Sequence, residues 1–370
     1  LPYAASLEEI ERIPSASRSP LTGGLVLLGQ SYALPADECP AVLNSAAAIF
    51  AEASYPRFAL MCRLNAAIIL QQLGSVEEGS KRLRHIAEIS EKDGFAFLAY
   101  VARTALAATP ANLYAQGGTL DDDARETILA AFQAGEKLID WLQGRGYPHH
   151  VPELQRTQVS RLFILGELDR AISRCKALLA STDDSETKLH RVVVTRQLAN
   201  LYKLAGDIDN ATRSFEAVYA MAKEIDDTLE MAEASLSLGS QYDDLKDHEK
   251  AMHFSKHAAE LYEKGEELGN AAEAWAIAGA LATLSNLSST INSAYHLRAY
   301  RIASKAGKDE TALFAGTQYL LRAPSSESKS DEYYLMARTL LHQAEEAEDE
   351  ATTTTILGLL ANFSLAKGDT

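Results

Sequence analysis

Histidine residues are the first candidates for chemistry in this sequence. Zinc-binding helices of the H-E-x-x-H type place two histidines four residues apart, but His248 and His253 are five apart. The extra residue turns the second ring about 100° away from the first. His253 and His257 have the correct spacing to share one helix face, yet the sequence offers no third ligand beside them. Two solvated histidines are therefore expected here rather than a metal site.

Motifs for other kinds of reaction are absent from the sequence. There is no G-x-G-x-x-G or G-x-x-x-x-G-K-[ST] phosphate-binding loop and no G-x-S-x-G nucleophile turn. No nucleophile–base pair is evident, and His149 and His150, beside Pro148, are expected in a surface loop. We therefore expect a protein that is not an enzyme and that carries no cofactor.

A set of basic and amide side chains suits the binding of a peptide instead. Arg156 and Arg196 are forty residues apart, and Asn200 and Lys203 follow Arg196 at intervals of one helical turn. A guanidinium supplies charge to a carboxylate, and an amide can both donate to and accept from a peptide backbone. Whether these side chains act together depends on the elements that position them.

The spacing of forty residues recurs in the turns of the chain. Expected turn residues and small residues five positions later form three pairs: Gly166 and Ala171, Gly206 and Ala211, and Lys246 and Ala251. A small side chain is needed where the second helix of a pair crosses the first, because a larger one would separate them. The pattern predicts antiparallel helix pairs.

The residues around these turns resemble the tetratricopeptide repeat family, in a variety with repeats of about forty residues. The resemblance rests on Leu198, Ala199, Tyr202, Ala211 and Phe215, and again on Leu238, Gly239, Tyr242 and Ala251. It covers most of residues 21–370. It implies an all-α, right-handed superhelical solenoid of antiparallel helix pairs that binds proteins through its concave groove.

The same template extends in both directions with some mismatches. It fits Leu28, Gly29, Tyr32 and Ala41, then Gly74 and Gly79, and later Leu287 and Ala294, and Gly316 and Tyr319. Ser255 and Arg298 stand where the template expects the aromatic ring of Phe215.

In this family the exposed faces of the first helices line the groove. The resemblance therefore implies a partner-binding groove made by Arg156, Ser160, Phe163, Arg196, Asn200, Lys203, Ser240 and Asp243. In co-chaperone members a basic residue and an asparagine so placed begin a clamp for a peptide carboxylate. The next repeats offer Ser240, Asp243, Ala276 and Ala280, so the rest of that clamp is missing. A groove for an acidic or extended segment and ordinary solvated helix positions both remain as interpretations.

The domain organisation follows the regularity of the repeats. An N-terminal extension covers 1–20, repeats cover 21–110 and 153–321, an irregular helix with long loops covers 111–152, and a linker with an incomplete repeat covers 322–370. Within this scheme 109–123 and 322–332 are expected loops. The acidic run 345–350 fits a solvated helix end, with a docking patch for a basic partner as the alternative. The chain ends on an expected first helix without its partner, so we expect the native polypeptide to continue beyond Thr370.

Composition excludes several classes of partner. The formal net charge is −16, which opposes direct binding to nucleic acid or to an anionic membrane surface. No apolar run reaches the length of a membrane span. The three cysteines are scattered, which favours a reducing compartment and a cytoplasmic location, in the cytosol or the nucleus.

The sequence thus predicts a scaffold or adaptor arm that binds an extended or helical segment of a protein partner. The alternative is a regulatory arm of a larger signalling or transcriptional protein, in which a peptide or small effector binds and changes the output of an attached domain.

Overall fold

The computed structural model describes residues 20–147, 151–181, 188–285, 287–323 and 330–367, and every regular element in these ranges is an α-helix. The helices are α1 Pro20–Ser31, α2 Cys39–Glu52, α3 Pro56–Gln72, α4 Val76–Lys92, α5 Ala96–Ala115, α6 Asp122–Gly144, α7 Val151–Ile164, α8 Leu168–Ser181, α9 Lys188–Leu204, α10 Ile208–Glu224, α11 Thr228–Asp244, α12 His248–Lys264, α13 Leu268–Leu284, α14 Ser289–Ala306, α15 Asp309–Arg322, α16 Asp331–Glu346 and α17 Glu350–Lys367. None of these described helices is both long enough and apolar enough to cross a lipid bilayer.

The chain forms two compact units, Leu1–Arg174 and Cys175–Thr370, and the division falls inside α8. In the first unit each helix from α1 to α7 packs on the next, as each helix from α9 to α17 does in the second, and α3 also contacts α5, while α13 contacts α15. Helices joined by the fully described short links, such as 73–75 and 245–247, are antiparallel, because these links reverse the chain. The predicted all-α fold of antiparallel helix pairs is therefore confirmed.

Most consecutive helices are joined by a link of three residues, and residues 205–207 are an example. Gly206 has a φ of 73° and donates its N–H to the carbonyl of Lys203 at 3.0 Å, while Asp207 donates to the carbonyl of Tyr202 at 2.9 Å. This Schellman arrangement satisfies the last carbonyls of α9. The carboxylate of Asp207 then accepts from the N–H of Asn210 at 3.2 Å and begins α10. The same link therefore ends one helix and starts the next.

The turns predicted from the sequence have the same left-handed backbone, and the predicted crossing residues are buried. Gly166 and Lys246, like Gly206, have positive φ, at 81° and 63°. The small residues five positions later, Ala171, Ala211 and Ala251, are completely buried. Their size permits the close approach of each second helix to the first, as the sequence predicted.

The position of Phe215, where the repeat template expects an aromatic ring, holds a different side chain in each of the later repeats. Phe215, Ser255 and His296 each lie eleven residues before a left-handed link residue, and all three are buried. Arg298 is exposed, so its assignment to this position is wrong, and His296 takes the place instead. The His296 ring needs the absence of a side chain at Gly279, where an added Cβ would lie 2.7 Å from the imidazole.

Two other assignments of the small crossing residue are also wrong. Ala41 and Ala294 are exposed, whereas Cys39 and Asn292, two residues earlier, are buried at the corresponding positions. The link before α14 comprises residues 285–288, one residue more than 245–247, and the link before α2 covers 32–38. Longer links shift the start of the second helix relative to the turn, which sequence spacing alone does not reveal.

The expected loops are also only partly correct. Residues 109–115 belong to α5, which continues through Pro110, and the chain is non-helical only until Asp121 caps α6 by accepting from Ala124. The long loop over 109–123 is therefore wrong, because the helix proceeds beyond its proline. Several expected features lie outside the described residues: residues 1–19 of the expected N-terminal extension 1–20, the histidines at 149 and 150, residues 324–329 of the second expected loop, and residues 368–370. The acidic run lies at the end of α16 and the start of α17, where Asp349 accepts from the N–H of Thr352 at 3.0 Å.

Replacement of Ala211 by leucine tests the helix crossing. Ala211 is completely buried, so additional methyl groups must displace neighbouring atoms, and Ala211→Leu should lower the free energy of unfolding by about 1–3 kcal/mol. Urea unfolding followed by circular dichroism measures it. The matched control is Ala220→Leu, an exposed position on the same helix, which should change stability little. An unchanged unfolding midpoint for Ala211→Leu would show that the repeat register is wrong.

His296 should make the stability of the protein depend on pH. Burial, together with the charge of Arg322, lowers the pKa of His296 to about 4 from its ordinary value of 6.5. Between these pH values the unfolded chain binds a proton that the folded protein does not, so stability falls as the pH decreases. The full loss attributable to His296 is about 3 kcal/mol.

The comparison of His296→Leu with the native sequence isolates this contribution. The variant should lose less stability than the native protein between pH 6.5 and pH 4, since leucine cannot be protonated. Unfolding free energies measured across this range provide the test, with His85→Leu, at an exposed histidine, as the control. Parallel curves for His296→Leu and the native protein would contradict the assignment.

Candidate partner-binding surface

The predicted groove residues divide between the two compact units. Arg156, Ser160 and Phe163 lie on α7 in the first unit, and Arg196 lies on α9 in the second. Arg156 donates from Nε to Glu153 on its own helix at 3.0 Å, and Ser160 is exposed. Phe163 packs edge-to-face against Tyr114, with ring centroids 6.1 Å apart. The predicted juxtaposition of Arg156 and Arg196 remains a prediction.

In the second unit the first helices of the complete pairs are α9, α11, α13 and α15. Alanine side chains of α11, α13 and α15 share one buried cluster with α12 and α14, which fixes these helices relative to each other. Asn200 on α9, Ser240 on α11 and Ala280 on α13 are forty residues apart, and all three are exposed. The equivalent helix positions therefore present a side chain to solvent in each repeat.

Polar contacts join α9 to α11 along this row. Lys203 donates from Nζ to the hydroxyl of Ser240 at 2.7 Å, so these two predicted residues are adjacent. Nε of Arg196 lies 3.0 Å from Oε2 of Glu230, close enough for an ion pair, although its N–H is not directed at that oxygen. Burial raises the pKa of Glu230, and Arg196 acts in the opposite direction. The charge of Arg196 is thus engaged within the protein.

The remaining polar side chains on these first helices differ in whether they already have a partner within the protein. Asp243 pairs with Nδ1 of His248 at 2.9 Å. Within the described ranges the side chain of Asn200 forms no hydrogen bond, and Lys203 forms no ion pair. Asn200 and Lys203 are therefore the polar groups of this row that a partner can reach at least cost. They lie on α9, which carries Lys188, Arg191, Arg196 and Lys203 and no acidic residue.

The sequence prediction missed an apolar part of the same surface. Ile277 and Leu284 on α13 are 43% and 57% exposed, and Phe314 and Leu321 on the adjacent α15 are 48% and 47% exposed. The signal was present in the sequence of α13, because Glu273 is its only charged residue. A helix that is apolar on all sides cannot bury every face in a two-layer solenoid. We define Asn200, Lys203, Ser240, Ile277, Leu284, Phe314 and Leu321 as the first-helix surface.

The candidate metal pair lies elsewhere, on the second helix α12. Nε2 of His257 is 2.9 Å from the hydroxyl oxygen of Tyr219, and His253 packs edge-to-face on Phe254. Among the described residues, no three histidine, cysteine, aspartate or glutamate side chains are grouped in a way that could hold a metal ion. Cys62 and Cys175 are buried, and burial raises the pKa values of their thiols to about 11 and about 12.

The chain is similar to known proteins in its structure. No protein-family model matches the chain, and no curated protein matches it. The apo form of RapI superposes with a TM-score of 0.57 at 13% identity, covering 95% of this chain and 98% of RapI. The apo form of the quorum sensor NprR from B. thuringiensis gives 0.51 at 12% identity, covering 91% of each chain.

A third solved structure carries a tetratricopeptide repeat sensor. It is a Signal Transduction ATPase with Numerous Domains from Pyrococcus horikoshii, with a TM-score of 0.53 and 15% identity. The match covers 96% of this chain and 54% of the ATPase. At such low identities these likenesses establish the fold alone. Together with the repeated helix pairs and links, they show that the chain has the all-α fold of antiparallel helix pairs found in these helical-repeat proteins.

Proposed function

We propose that the first-helix surface of the second unit binds an extended or helical segment of a protein partner, so that the protein acts as a scaffold or adaptor. The observation that supports this most strongly is the set of exposed apolar side chains on the adjacent helices α13 and α15. A contiguous exposed apolar patch is costly to leave in water, and patches of this kind mark interaction sites. Ile277, Leu284, Phe314 and Leu321 would anchor apolar side chains of the partner.

The polar end of the surface would orient the bound segment. Asn200 offers an amide that can donate to and accept from a peptide backbone, and the Ser240 hydroxyl can do the same. Lys203 has a neutral partner in Ser240, so a carboxylate of the partner could replace that hydrogen bond without breaking an ion pair. Arg196 would first have to leave Glu230. We therefore assign the acidic contact of the partner to Lys203 in preference to Arg196.

The arrangement of the helices sets the pattern that a partner must carry. Packed helices lie about 10 Å apart, so α9 and α13 are separated by about 20 Å and α9 and α15 by about 30 Å. An extended chain advances about 3.3 Å per residue. An acidic residue bound at Lys203 would therefore precede or follow the apolar anchors by about six to nine residues.

A folded surface reduces the cost of binding such a segment. The helices are held by their buried alanine-rich cluster, so they need little ordering when a partner arrives. The partner alone loses conformational freedom. A few well-buried anchors can then carry most of the affinity, and the remaining contacts mainly exclude water.

A ligand-sensing regulatory arm is the second candidate function. Two of the solved structures with this fold are described as sensors, the quorum sensor NprR and the repeat sensor of the ATPase. In this case the same first-helix surface would bind a peptide or small effector, and its occupancy would alter the arrangement of the helices. The two functions differ in whether binding changes the conformation of the protein.

The apolar anchors are tested by a double substitution. A binding segment is first selected from a library of short displayed peptides with the native protein, and its affinity is measured by calorimetry. Ile277→Ser combined with Phe314→Ser should weaken binding by about 2 kcal/mol or more, because both side chains would be desolvated in the complex. Both side chains are already nearly half exposed, so helicity should be retained.

Leu357→Ser is the matched control for these substitutions. Leu357 is 50% exposed on α17, outside the first-helix surface, and its loss should leave the affinity unchanged. Equal effects of the control and the double variant, or unchanged affinity of the double variant with its fold intact, would refute the assignment of the interface to α13 and α15.

Solution scattering distinguishes the adaptor from the sensor. For a static adaptor, the selected peptide should leave the radius of gyration of the protein unchanged, because a rigid solenoid need not rearrange. For a sensor, the radius of gyration should decrease as the peptide saturates the protein. Measurements on the Ile277→Ser, Phe314→Ser variant provide the control, since any decrease caused by binding at this surface should be lost.

A further inference from the structure

A pocket on the second helices is separate from the first-helix surface. It has a volume of about 390 Å³ and lies between α10 and α12, with Leu238 of α11 contributing to its lining. The other lining residues are Glu216 and Tyr219 of α10 and His253, Phe254 and His257 of α12. Four of the six lining side chains carry aromatic rings, so the walls offer ring faces and edges to an occupant.

The aromatic side chains of the pocket are fixed by contacts within the protein. The hydroxyl of Tyr219 and Nε2 of His257 lie 2.9 Å apart, which connects α10 to α12. Phe254 stacks on Tyr242 with ring centroids 5.4 Å apart. Burial lowers the pKa of His257, so this imidazole is neutral at neutral pH. The wall contributed by His257 therefore adds no positive charge to the pocket.

Glu216 supplies a carboxylate that has no cationic partner among the described residues. It is exposed on α10, and the ammonium of Lys256 on the neighbouring helix pairs with Glu260 at 3.7 Å. Aromatic faces next to an unpaired carboxylate attract a cation through two effects, the ring quadrupole and the opposite charge.

The protein contains its own example of this recognition one repeat later. The guanidinium carbon of Arg298 lies 4.4 Å from the centre of the Trp275 ring, and Nε of Arg298 is 2.9 Å from Glu263. Nε1 of Trp275 also donates to Glu263 at 2.5 Å. An arginine thus lies on an aromatic ring and binds a glutamate at the same time. The pocket of α10 and α12 has the rings and the glutamate but lacks the arginine.

We propose that this pocket binds the side chain of an arginine from a protein partner. The planar guanidinium would lie against the aromatic walls and bind the carboxylate of Glu216, as Arg298 does with Trp275 and Glu263. Arginine suits the site better than lysine, because a planar guanidinium stacks on rings and is more weakly hydrated than an ammonium. The net charge of −16 further favours a basic partner at this surface. The interaction is independent of the first-helix surface and would give the protein a second contact.

Capped amino acids provide a direct test on the whole chain. N-acetyl-arginine amide is titrated into the protein, and the ring resonances of His257 and Tyr219 are followed by NMR. We expect saturable shifts of both rings. N-acetyl-citrulline amide has nearly the same shape without the charge, and it should bind about tenfold more weakly or not at all.

Glu216→Gln tests the carboxylate, with Glu249→Gln as a control that removes the same charge from an exposed position on α12 outside the pocket. Glu216→Gln should weaken N-acetyl-arginine amide binding by about tenfold, while the control should preserve it. Equal binding of the arginine and citrulline compounds, shifts that do not include His257 and Tyr219, or unchanged binding to Glu216→Gln would each overturn the proposal.

Discussion

The link that ends one helix and begins the next is the constraint on which the rest of the structure depends. At residues 205–207 a left-handed residue closes α9, and the following aspartate both completes that closure and caps α10. Asp227 and Asp247 cap α11 and α12 in the same way. Because a three-residue link leaves almost no free length, the direction and register of a helix that follows such a link are set by the helix before it.

Some links use residues for which a left-handed backbone is unfavourable. Lys246 and Glu266 have φ values of 63° and 61°, where glycine would be free of strain. This conformation costs a residue with a Cβ about 1–2 kcal/mol. Packing of the two joined helices must offset that cost. The link is therefore maintained by the tertiary structure as much as by its own sequence.

Complementary sizes across each helix pair maintain this packing. Gly239 faces Ser255, and Gly279 faces His296. Because the glycine of the first helix has no side chain, a polar side chain of the second helix fits against it. The exchange leaves Nδ1 and Nε2 of His296 without hydrogen-bond partners in the described chain. An imidazole in this position tolerates burial only as the neutral form, which is the reason for its lowered pKa.

The sequence was sufficient to predict features that the repeat imposes locally. The left-handed link residues and the buried alanines at 171, 211 and 251 follow from chain-local rules, and the structure confirms them. The register at 41 and 294 failed because links of different length move a helix start, and only packing reveals that shift. Pairing of Arg196 with Glu230 was also missed, since the carboxylate comes from the next repeat. The sequence placed Lys203 and Ser240 on one expected surface, but the hydrogen bond between them is visible only in the structure.

The residues proposed to bind a partner occupy positions whose side chains the repeat does not specify. Asn200, Ser240 and Ala280 share one place in three repeats, and each is exposed, so packing imposes no residue type there. The positions immediately before them, by contrast, hold the small buried residues Ala199, Gly239 and Gly279, and an added Cβ at either glycine would meet the second helix. Exposed side chains can therefore change without loss of the scaffold. On the first helices, the basic residues of α9 and the apolar residues of α13 and α15 form a surface that is basic at one end and apolar at the other. The aromatic pocket with the Glu216 carboxylate lies on the other set, so under the two proposals one scaffold would bind two partner segments of opposite charge.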